Sequence, residues 1–411
     1  MTSTTSRLAG DMTVLDPFVS AGLFNESEVE LCAAISRLAE SGGNQVDPLV
    51  LLGIAVAARG PRSGHVCIDL SRVSELIVDE NTLGVELPWP DQDTWISALR
   101  ASENLVCGPD QADHNPVRPL VLDGTRLYLH RYFVAEARVA ADMLRRSSTK
   151  ASLSFDSGDL DSTLDTFFGA EADGQTDLQR QGARSGLTNS FSVLAGGPGT
   201  GKTRTVARML ATAHTLARAD GRHLLIGLAA PSGKAAARMA EAIEQAVEQL
   251  VEDNLIDDAM ATQLRNAEPV TIHRLLRSNP RRGFGHNQSN PLALDIIVID
   301  ESSMVSLPLM DSLLAAVPDR CHLVLVGDPD QLASVQAGTV LGDIVRPAIA
   351  TDGRAPAGAS GSHPTPVADP SLSANQITVL KVARRFGSDS SIAALADAVR
   401  LGDADKTLQI L

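Results

Sequence analysis

The feature that most constrains this chain is the glycine-rich segment GGPGTGKT at residues 196–203, which directly follows the apolar run FSVLA at 191–195. It fits the pattern G-x-x-x-x-G-K-[ST] of a phosphate-binding loop between a strand and a helix. Glycines let backbone N–H groups point at a ligand, and the following helix adds the positive end of its dipole. The natural occupant is a triphosphate, with Lys202 on its β- and γ-phosphates and Thr203 on Mg²⁺. The competing interpretation, a glycine-rich turn with a chance lysine, leaves the agreement of strand, loop and helix unexplained.

Length and composition indicate a globular protein without a membrane anchor. A chain of 411 residues has room for two or three domains. Aromatic residues make up only 3%, so we expect cores built from Ala, Leu, Val and Ile. The N-terminus has no signal-peptide pattern, and apolar runs such as 50–58 are too short to cross a bilayer. Four cysteines without paired spacing argue against a disulfide or metal framework. We therefore expect a cytoplasmic protein with no membrane partner.

The charge is negative and unevenly distributed. The net charge of −15 argues against a protein that coats nucleic acid non-specifically. Residues 156–177 hold seven acidic side chains and no Lys or Arg. A basic groove elsewhere in the chain therefore stays possible.

The pattern along the chain indicates two regions of different architecture. Residues 1–145 are mostly helical, with a hairpin turn signal at Asp123-Gly124, and suit a docking domain. Residues 146–176 resemble a linker, and 351–375 a disordered loop. From 177 to 350 strands alternate with helices, which predicts an α/β fold with a mainly parallel sheet. The candidate strands there and beyond are Phe191–Ala195, Leu224–Ala229, Asp295–Ile299, His322–Val326 and Ile377–Val382.

Two further strands end in polar residues that suit nucleotide chemistry. The apolar run at 296–299 precedes Asp300 and Glu301, which could hold the Mg²⁺ shell and polarise the attacking water. The alternative is an ordinary strand that ends in a polar turn. The run at 323–326 leads to Gln331, whose amide could sense the γ-phosphate. A plain turn explains that segment equally well, because Asp and Pro favour turns.

Other segments could bind phosphates of a nucleic acid. Pro231, Ser232, Gly233 and Lys234 follow a strand and open a helix, so they suit either a backbone-phosphate site or a capped helix start. A modest basic cluster runs from His273-Arg274 through Arg277 to Arg281-Arg282 and could track phosphates, although such clusters are usually solvated surface. Beyond the last strand, Arg385 could reach a transferred phosphoryl group.

Together these segments resemble the RecD family of superfamily 1 DNA helicases. The carrying motifs include GGPGTGKT at 196–203, AAPSGKAAARM at 229–239, TIHRLL at 271–276, NPLALDIIVIDESSM at 290–304 and VGDPDQLASVQAGTVLGDI at 326–344. RRFGSDSSIAALADAV at 384–399 resembles the family as well, and so do the N-terminal segments GHVCIDLSRV at 64–73 and RPLVLDGTRLYLHRYF at 118–133.

The resemblance implies a RecA-like P-loop NTPase lobe behind a small helical domain that docks on the RecC subunit. It implies ATP and Mg²⁺ as cofactors and 5′-to-3′ movement along DNA within a RecB–RecC–RecD complex that processes double-stranded ends. Asp300 and Glu301 match the family's metal-binding and water-activating acids, and Gln331 and Arg385 match its γ-phosphate contacts. Ser232, Gly233, Lys234 and His273 fall in single-strand contact motifs. The nucleotide-binding residues are then Gln179, as the adenine contact, with Gly196, Gly197, Pro198, Gly199, Thr200, Gly201, Lys202, Thr203 and Arg204.

The family continues past its arginine–phenylalanine motif into a second RecA-like lobe, whereas this sequence reaches only Leu411. On this interpretation residues 376–411 hold the last strand and helix of the first lobe and the start of the second. Two alternatives to a helicase subunit follow. One is a nucleotide-binding protein that docks on partner subunits and regulates them without acting as a motor. The other is a stand-alone helicase of the Pif1-like kind.

Overall fold

We describe a computed structural model of the chain. It describes residues 10–43, 45–76, 85–114, 117–149, 155–169, 177–331, 337–338, 340–350, 375–380, 395, 398–399 and 403–410. The chain divides into two compact units, with the main boundary after Arg138. The first unit comprises residues 1–138 with the short pieces Ser306–Pro308 and Ser334–Gly338, and the second comprises the rest. The boundary lies seven residues before the one predicted at 145, inside a helix that begins at His130.

The first unit is mostly helical with one small mixed sheet, as predicted. Its sheet has the strand order β1-β4-β3-β2, in which β4 pairs antiparallel with both neighbours and β2 pairs parallel with β3. The Asp123-Gly124 turn joins β3 to β4, which confirms the predicted hairpin. The elements are α1 (Asp16–Ser20), α2 (Glu26–Ser41), α3 (Pro48–Arg59), β1 (Cys67–Asp69), α4 (Val73–Leu76), α5 (Gln92–Ala101), β2 (Val106–Cys107), β3 (Leu120–Asp123), β4 (Arg126–Leu129) and α6 (His130–Ser148), which continues into the second unit.

The core of the first unit is built around α3 and a group of aromatic rings. The Asp47 side chain accepts a hydrogen bond from the Leu49 N–H and caps α3, most of whose residues are buried. Both tryptophans of the chain lie here: the Trp89 ring stacks on Trp95, whose indole donates to the Leu49 carbonyl oxygen at 2.8 Å. Phe18 packs against Trp89 and Phe24. The expectation of purely aliphatic cores is therefore wrong for this unit, because its few aromatic residues are concentrated in one cluster.

The second unit is a RecA-like α/β lobe around a six-stranded sheet in the order β12-β5-β11-β10-β6-β7. All strand pairs of this sheet are parallel, which confirms the predicted fold class and the five predicted strands, and the short strand β7 is additional. Its strands are β5 (Phe191–Gly196), β6 (Ile226–Ala230), β7 (Val270–Thr271), β10 (Ile296–Ile299), β11 (His322–Gly327) and β12 (Ile377–Leu380), and a separate hairpin consists of β8 (Ser278–Asn279) and β9 (Gly283–Phe284). Its further helices are α7 (Ser157–Phe168), α8 (Leu178–Thr188), α9 (Lys202–Ala219), α10 (Gly233–Glu252), α11 (Asp258–Asn266), α12 (Ile272–Leu275), α13 (Leu307–Ala316), α14 (Val340–Ala350) and α15 (Ala404–Ile410).

Parallel strands bring all their carboxyl ends to one edge of the sheet, where ligands bind in open α/β folds. The glycine-rich segment follows β5, and Asp300 follows β10. Strand β11 lies between these two strands and ends at Gly327. The sheet order therefore places three segments at the same edge: the phosphate loop, the turn with Asp300 after β10, and the turn with Asp328 after β11.

The structure corrects the linker prediction for 146–176. Helix α6 continues to Ser148, and α7 occupies much of the acidic stretch. The inner face of α7 consists of Leu160, Leu164 and Phe167, which are buried in the core that also contains residues of α9 and the sheet. Its acidic residues lie on the other side, where Asp161 and Asp165 pair with Arg180 of α8. Residues 157–168 are thus part of the lobe.

Several sequence-based expectations fall on residues outside those described. The loop predicted at 351–375 lies there except for its last residue, and so does the arginine–phenylalanine motif with Arg385. Within the described ranges, no helix is long and apolar enough to cross a membrane. The four cysteines are buried and unpaired.

Candidate functional site

The phosphate loop is shaped by positions where only glycine fits. Gly201 has φ +86°, and a Cβ there would lie 2.5 Å from the Gln179 side-chain nitrogen. A Cβ at Gly196 would lie 2.9 Å from Thr200 Oγ1 and 3.0 Å from the Leu380 backbone oxygen. The left-handed backbone at Gly201 and the close neighbours of both glycines disfavour a side chain, so the backbone itself forms the surface of the loop. Backbone N–H groups at the start of a helix are a common binding surface for phosphates.

Lys202 lies at the start of α9 and faces the acids of the neighbouring strands. Its ammonium group donates hydrogen bonds to the carbonyl oxygens of Gly196 and Gly197, the latter at 3.0 Å. Burial lowers the pKa of Lys202, while the carboxylates of Asp328, Asp300 and Glu301 oppose that shift. These carboxylates and the phosphate loop therefore lie at the same edge of the sheet. Nucleotide chemistry requires this arrangement.

Asp300 and Glu301 leave the end of β10 in a tight turn. The Asp300 N–H donates to the Ala229 carbonyl oxygen, and Asp300 Oδ1 accepts from the Glu301 N–H, both at 2.9 Å. Burial raises the pKa of Asp300, helped by the charge of Glu301 and opposed by the Glu301 N–H and by Lys202. Glu301 has φ +49°, in the left-handed region that is unusual for a residue with a side chain. Strained backbone of this kind is common at functional sites.

Asp328 is a member of this site that the sequence analysis did not single out. It follows β11, is only 4% exposed, and its pKa is raised by burial. Its carboxylate accepts from the Asp330 N–H at 3.0 Å and from the Gln331 side chain. The signal that could have found it is the one that identified Asp300, namely an acid directly after a buried apolar strand.

The remaining predicted nucleotide contacts occupy different environments. Thr203 is half-buried in the first turn of α9, close in sequence to Lys202, whereas Arg204 and Pro198 are exposed. Gln331 is also exposed, and its N–H closes a turn on the Asp328 carbonyl oxygen at 3.2 Å. The turn interpretation of this segment is therefore correct, and it leaves the Gln331 side chain at the same edge of the sheet as the phosphate loop.

The segment 231–234 is a capped helix start. Ser232 Oγ accepts a hydrogen bond from the Ala235 N–H at 3.2 Å, which satisfies one of the free amides of α10. Gly233 and Lys234 are exposed, and Pro231 is half-buried. The capping interpretation is confirmed, and the exposed lysine stays available to a ligand.

His273 lies beside this helix start. Ala230 of β6 pairs with Thr271 of β7, so the two segments leave adjacent strands at one sheet edge. The His273 side chain is exposed, and its ring centroid lies 5.8 Å from that of Phe284 on the β8–β9 hairpin. Four exposed arginines surround the hairpin and form no ion pair within the described ranges: Arg274, Arg277, Arg281 and Arg282.

Comparison with known proteins agrees with this geometry. Residues 20–128 match the family model described as "RecBCD enzyme subunit RecD, N-terminal domain", and residues 179–337 match an AAA domain. The chain is 39% identical to the RecBCD enzyme subunit RecD of Mycolicibacterium smegmatis over 403 residues, which cover 97% of this chain and 62% of that protein. The chain is thus similar to a RecD subunit over nearly its whole length. The N-terminal match is the more informative one, because it lies outside the nucleotide-binding lobe, which many ATPases share.

Two further relatives show the same similarity, one over nearly the whole chain and one over about a third of it. It is 38% identical to the RecD subunit of Mycobacterium tuberculosis over 395 residues, or 96% of this chain and 59% of that protein. The ATP-dependent RecD2 DNA helicase of Deinococcus radiodurans is 40% identical over 149 residues, or 36% of this chain and 17% of that protein. The chain thus spans between 59% and 62% of the length of the two RecD subunits.

Proposed function

We propose that this chain binds ATP with Mg²⁺ and acts as the RecD-type helicase subunit of a RecBCD-type exodeoxyribonuclease V, in the cytoplasm. The observation that carries the proposal is the convergence of the phosphate loop with Asp300, Glu301 and Asp328 around Lys202. That convergence occurs in a chain whose first unit matches the RecD N-terminal domain. RecB, RecC and DNA ends are the partners that this assignment implies.

In the proposed mechanism each residue has a separate task. Lys202 would leave the carbonyl oxygens of Gly196 and Gly197 and bind the β- and γ-phosphates. Thr203 and Asp300 would hold Mg²⁺, which neutralises phosphate charge when it is bound. Glu301 would accept the proton of the attacking water. Burial raises the pKa of Asp300 because it destabilises the charged carboxylate, and a cation bound nearby would stabilise that charge.

The remaining contacts of the proposal concern the γ-phosphate, the base and the DNA. Gln331 and Arg385 would contact the γ-phosphate, and Gln179 would contact the base. The Ser232–Lys234 segment and His273 would bind a DNA single strand. The exposed arginines around the β8–β9 hairpin support this proposal, because phosphate contacts supply most of the affinity for nucleic acid. We propose that the protein moves in the 5′-to-3′ direction along a DNA single strand bound by these residues.

The test of the proposal is ATP turnover with and without single-stranded DNA. We expect stimulation by DNA in the chain assembled with RecB and RecC, and a loss of at least about a hundredfold in Lys202→Ala, which removes charge stabilisation of the transferred phosphoryl group. Arg218→Ala is a matched control, because Arg218 is an exposed basic residue in the last turn of the same helix. Partial duplexes with either a 5′ or a 3′ overhang would report the direction of movement.

The outcomes of these assays separate three functions. Nucleotide binding without turnover in the assembled complex would favour a non-motor docking subunit. Turnover without co-purification of RecB and RecC would favour a stand-alone helicase. Turnover that survives Lys202→Ala would contradict the nucleotide site itself.

A further inference from the structure

Gln179 contacts the phosphate loop directly. Its side chain is only 5% exposed, and its amide nitrogen donates a hydrogen bond to the Thr200 carbonyl oxygen at 3.0 Å. The same nitrogen fills the space that a side chain at Gly201 would need. One N–H of the Gln179 amide is therefore committed to the loop, which leaves the second N–H and the carbonyl oxygen for another contact.

The helix that carries Gln179 is firmly anchored. Asp177 caps α8 by accepting from the N–H groups of Gln179 and Arg180. A Cβ at Gly182 would lie 2.7 Å from Leu194 Cδ1 of β5, so α8 packs closely against the strand that leads into the loop. Ser185 Oγ donates to the Asn375 carbonyl oxygen at 2.8 Å and anchors the next turn. A hydrogen bond from such a helix restrains its acceptor.

The other side-chain hydrogen bonds to the described part of the loop come from the loop itself or from α9, where Thr205 Oγ1 donates to the Gly201 carbonyl oxygen at 3.0 Å. The Thr200 hydroxyl and the Lys202 ammonium donate to Gly197, and Lys202 also donates to Gly196, so these bonds stay inside the loop. Lys202 must release its carbonyl partners when it binds a phosphate, whereas the bond from Gln179 does not involve Lys202 and would continue to tie the loop to α8. That bond holds the residue just before Gly201, whose left-handed backbone starts α9.

We infer that Gln179 is a positioning residue for the phosphate loop. It holds the Thr200–Gly201 backbone in its binding conformation, so its effect falls on the phosphate chain of any nucleoside triphosphate, whatever the base. The inference deepens the proposed function and rests on it for the identity of the ligand. This role adds to the proposed contact with the base: a base contact alone would affect ATP and leave inorganic tripolyphosphate unchanged.

Hydrogen–deuterium exchange of the ligand-free chain tests the restraint without any nucleotide. Gln179→Glu keeps the size of the side chain but replaces the donor with a carboxylate, which cannot donate to Thr200. A glutamate in the first turn suits the dipole of α8, so the helix should stay folded. We expect the amides of residues 196–203 to exchange about tenfold faster, which corresponds to the loss of one buried hydrogen bond. Gln181→Glu, two positions along the same helix, should leave their exchange unchanged; equal exchange in all three proteins would overturn the inference.

Ligand binding distinguishes this role from a base contact. Calorimetric titration with ATP and with inorganic tripolyphosphate, each with Mg²⁺, should show that Gln179→Ala weakens tripolyphosphate binding about tenfold and ATP binding at least as much. A loss confined to ATP would overturn the inference and assign Gln179 to the base. The proposed function fails by a different result, namely ATP binding that Lys202→Ala leaves unchanged, whatever the exchange of the loop.

Discussion

Truncation of Leu164 to alanine tests whether the acidic segment belongs to the folded lobe. Leu164 is 0% exposed and lies in the core that contains α9 and the central strands. Leu164→Ala removes three carbon atoms, which costs roughly 2.4 kcal/mol at about 0.8 kcal/mol per buried group. The surrounding helices close the space only partly, and the residual cavity adds to the loss. We therefore expect the free energy of unfolding to fall by about 3 kcal/mol.

The assay is urea denaturation followed by far-ultraviolet circular dichroism. The tryptophans are unsuitable as reporters of the lobe, because both lie in the first unit. Thr166→Ala is the matched control: it lies on the same helix with an exposed side chain, and we expect a change within about 0.5 kcal/mol. If Leu164→Ala also stayed within about 0.5 kcal/mol of the wild type, α7 would not be packed on the lobe and the linker interpretation would stand.

Three further changes test the electrostatics and shape of the site. Asp300→Asn should raise the Tm of the ligand-free chain at neutral pH, because burial raises the pKa of Asp300 and its charge is a cost there. The Asp300 carboxyl ionises at about pH 3.9 in the unfolded chain and at a higher pH in the folded chain. Between these two pKa values the stability of the wild type falls as pH rises, so the gain in Tm from Asp300→Asn should vanish in acid. A lower Tm of the variant at neutral pH would contradict this account. Gly201→Ala should weaken ATP binding at least about tenfold in calorimetry while the dichroism spectrum stays native, because its backbone and the nearby Gln179 exclude a Cβ; unchanged affinity would refute this account of the loop. Asp328→Asn should move the alkaline loss of ATP affinity to lower pH, since Asp328 opposes the burial that lowers the pKa of Lys202, and a titration curve that matches the wild type would show that the two groups do not interact.

The sheet and the phosphate loop could be predicted because their signals are local. Apolar runs of four to six residues bounded by glycine, proline or acids correspond to β5, β6, β10 and β11 almost residue for residue. The loop motif fixes its own context, since its glycines, lysine and following helix are contiguous in sequence. Parallel pairing then places the ends of the strands at one edge without further information.

Composition and periodicity point in different directions in residues 146–176, and the predicted linker follows composition alone. The stretch around α7 is acidic and contains serine and glycine, which favours a solvated connection. Yet Leu160, Leu164 and Phe167 recur at the i, i+4, i+7 spacing of an amphipathic helix. The acids occupy the opposite face, where they pair with arginines of α8. The sequence therefore contained the signal, and a count against the helical template would have found it.

The aromatic cluster of the first unit lay beyond such reasoning for a different reason. Trp89 and Trp95 stack on each other, and Phe18 joins them from far away in sequence. Only the packing of α1 and α3 with the segment before α5 brings these rings together. Composition could say that aromatic residues are few, but no local pattern says that they meet.

The chemistry of the site shows the same division between local and assembled features. Lys202 and Asp300 were identified from their own segments, because each follows a strand in a recognisable motif. Gln179 and Asp328 act through partners, the first on the Thr200 carbonyl oxygen and the second on the lysine charge. Asp328 lies near Lys202 because β11 lies between β5 and β10 in the sheet. Gln179 reaches Thr200 because α8 packs closely against β5. A family motif can therefore name the residues that touch the nucleotide, whereas the residues that hold those in place emerge only once the sheet is assembled.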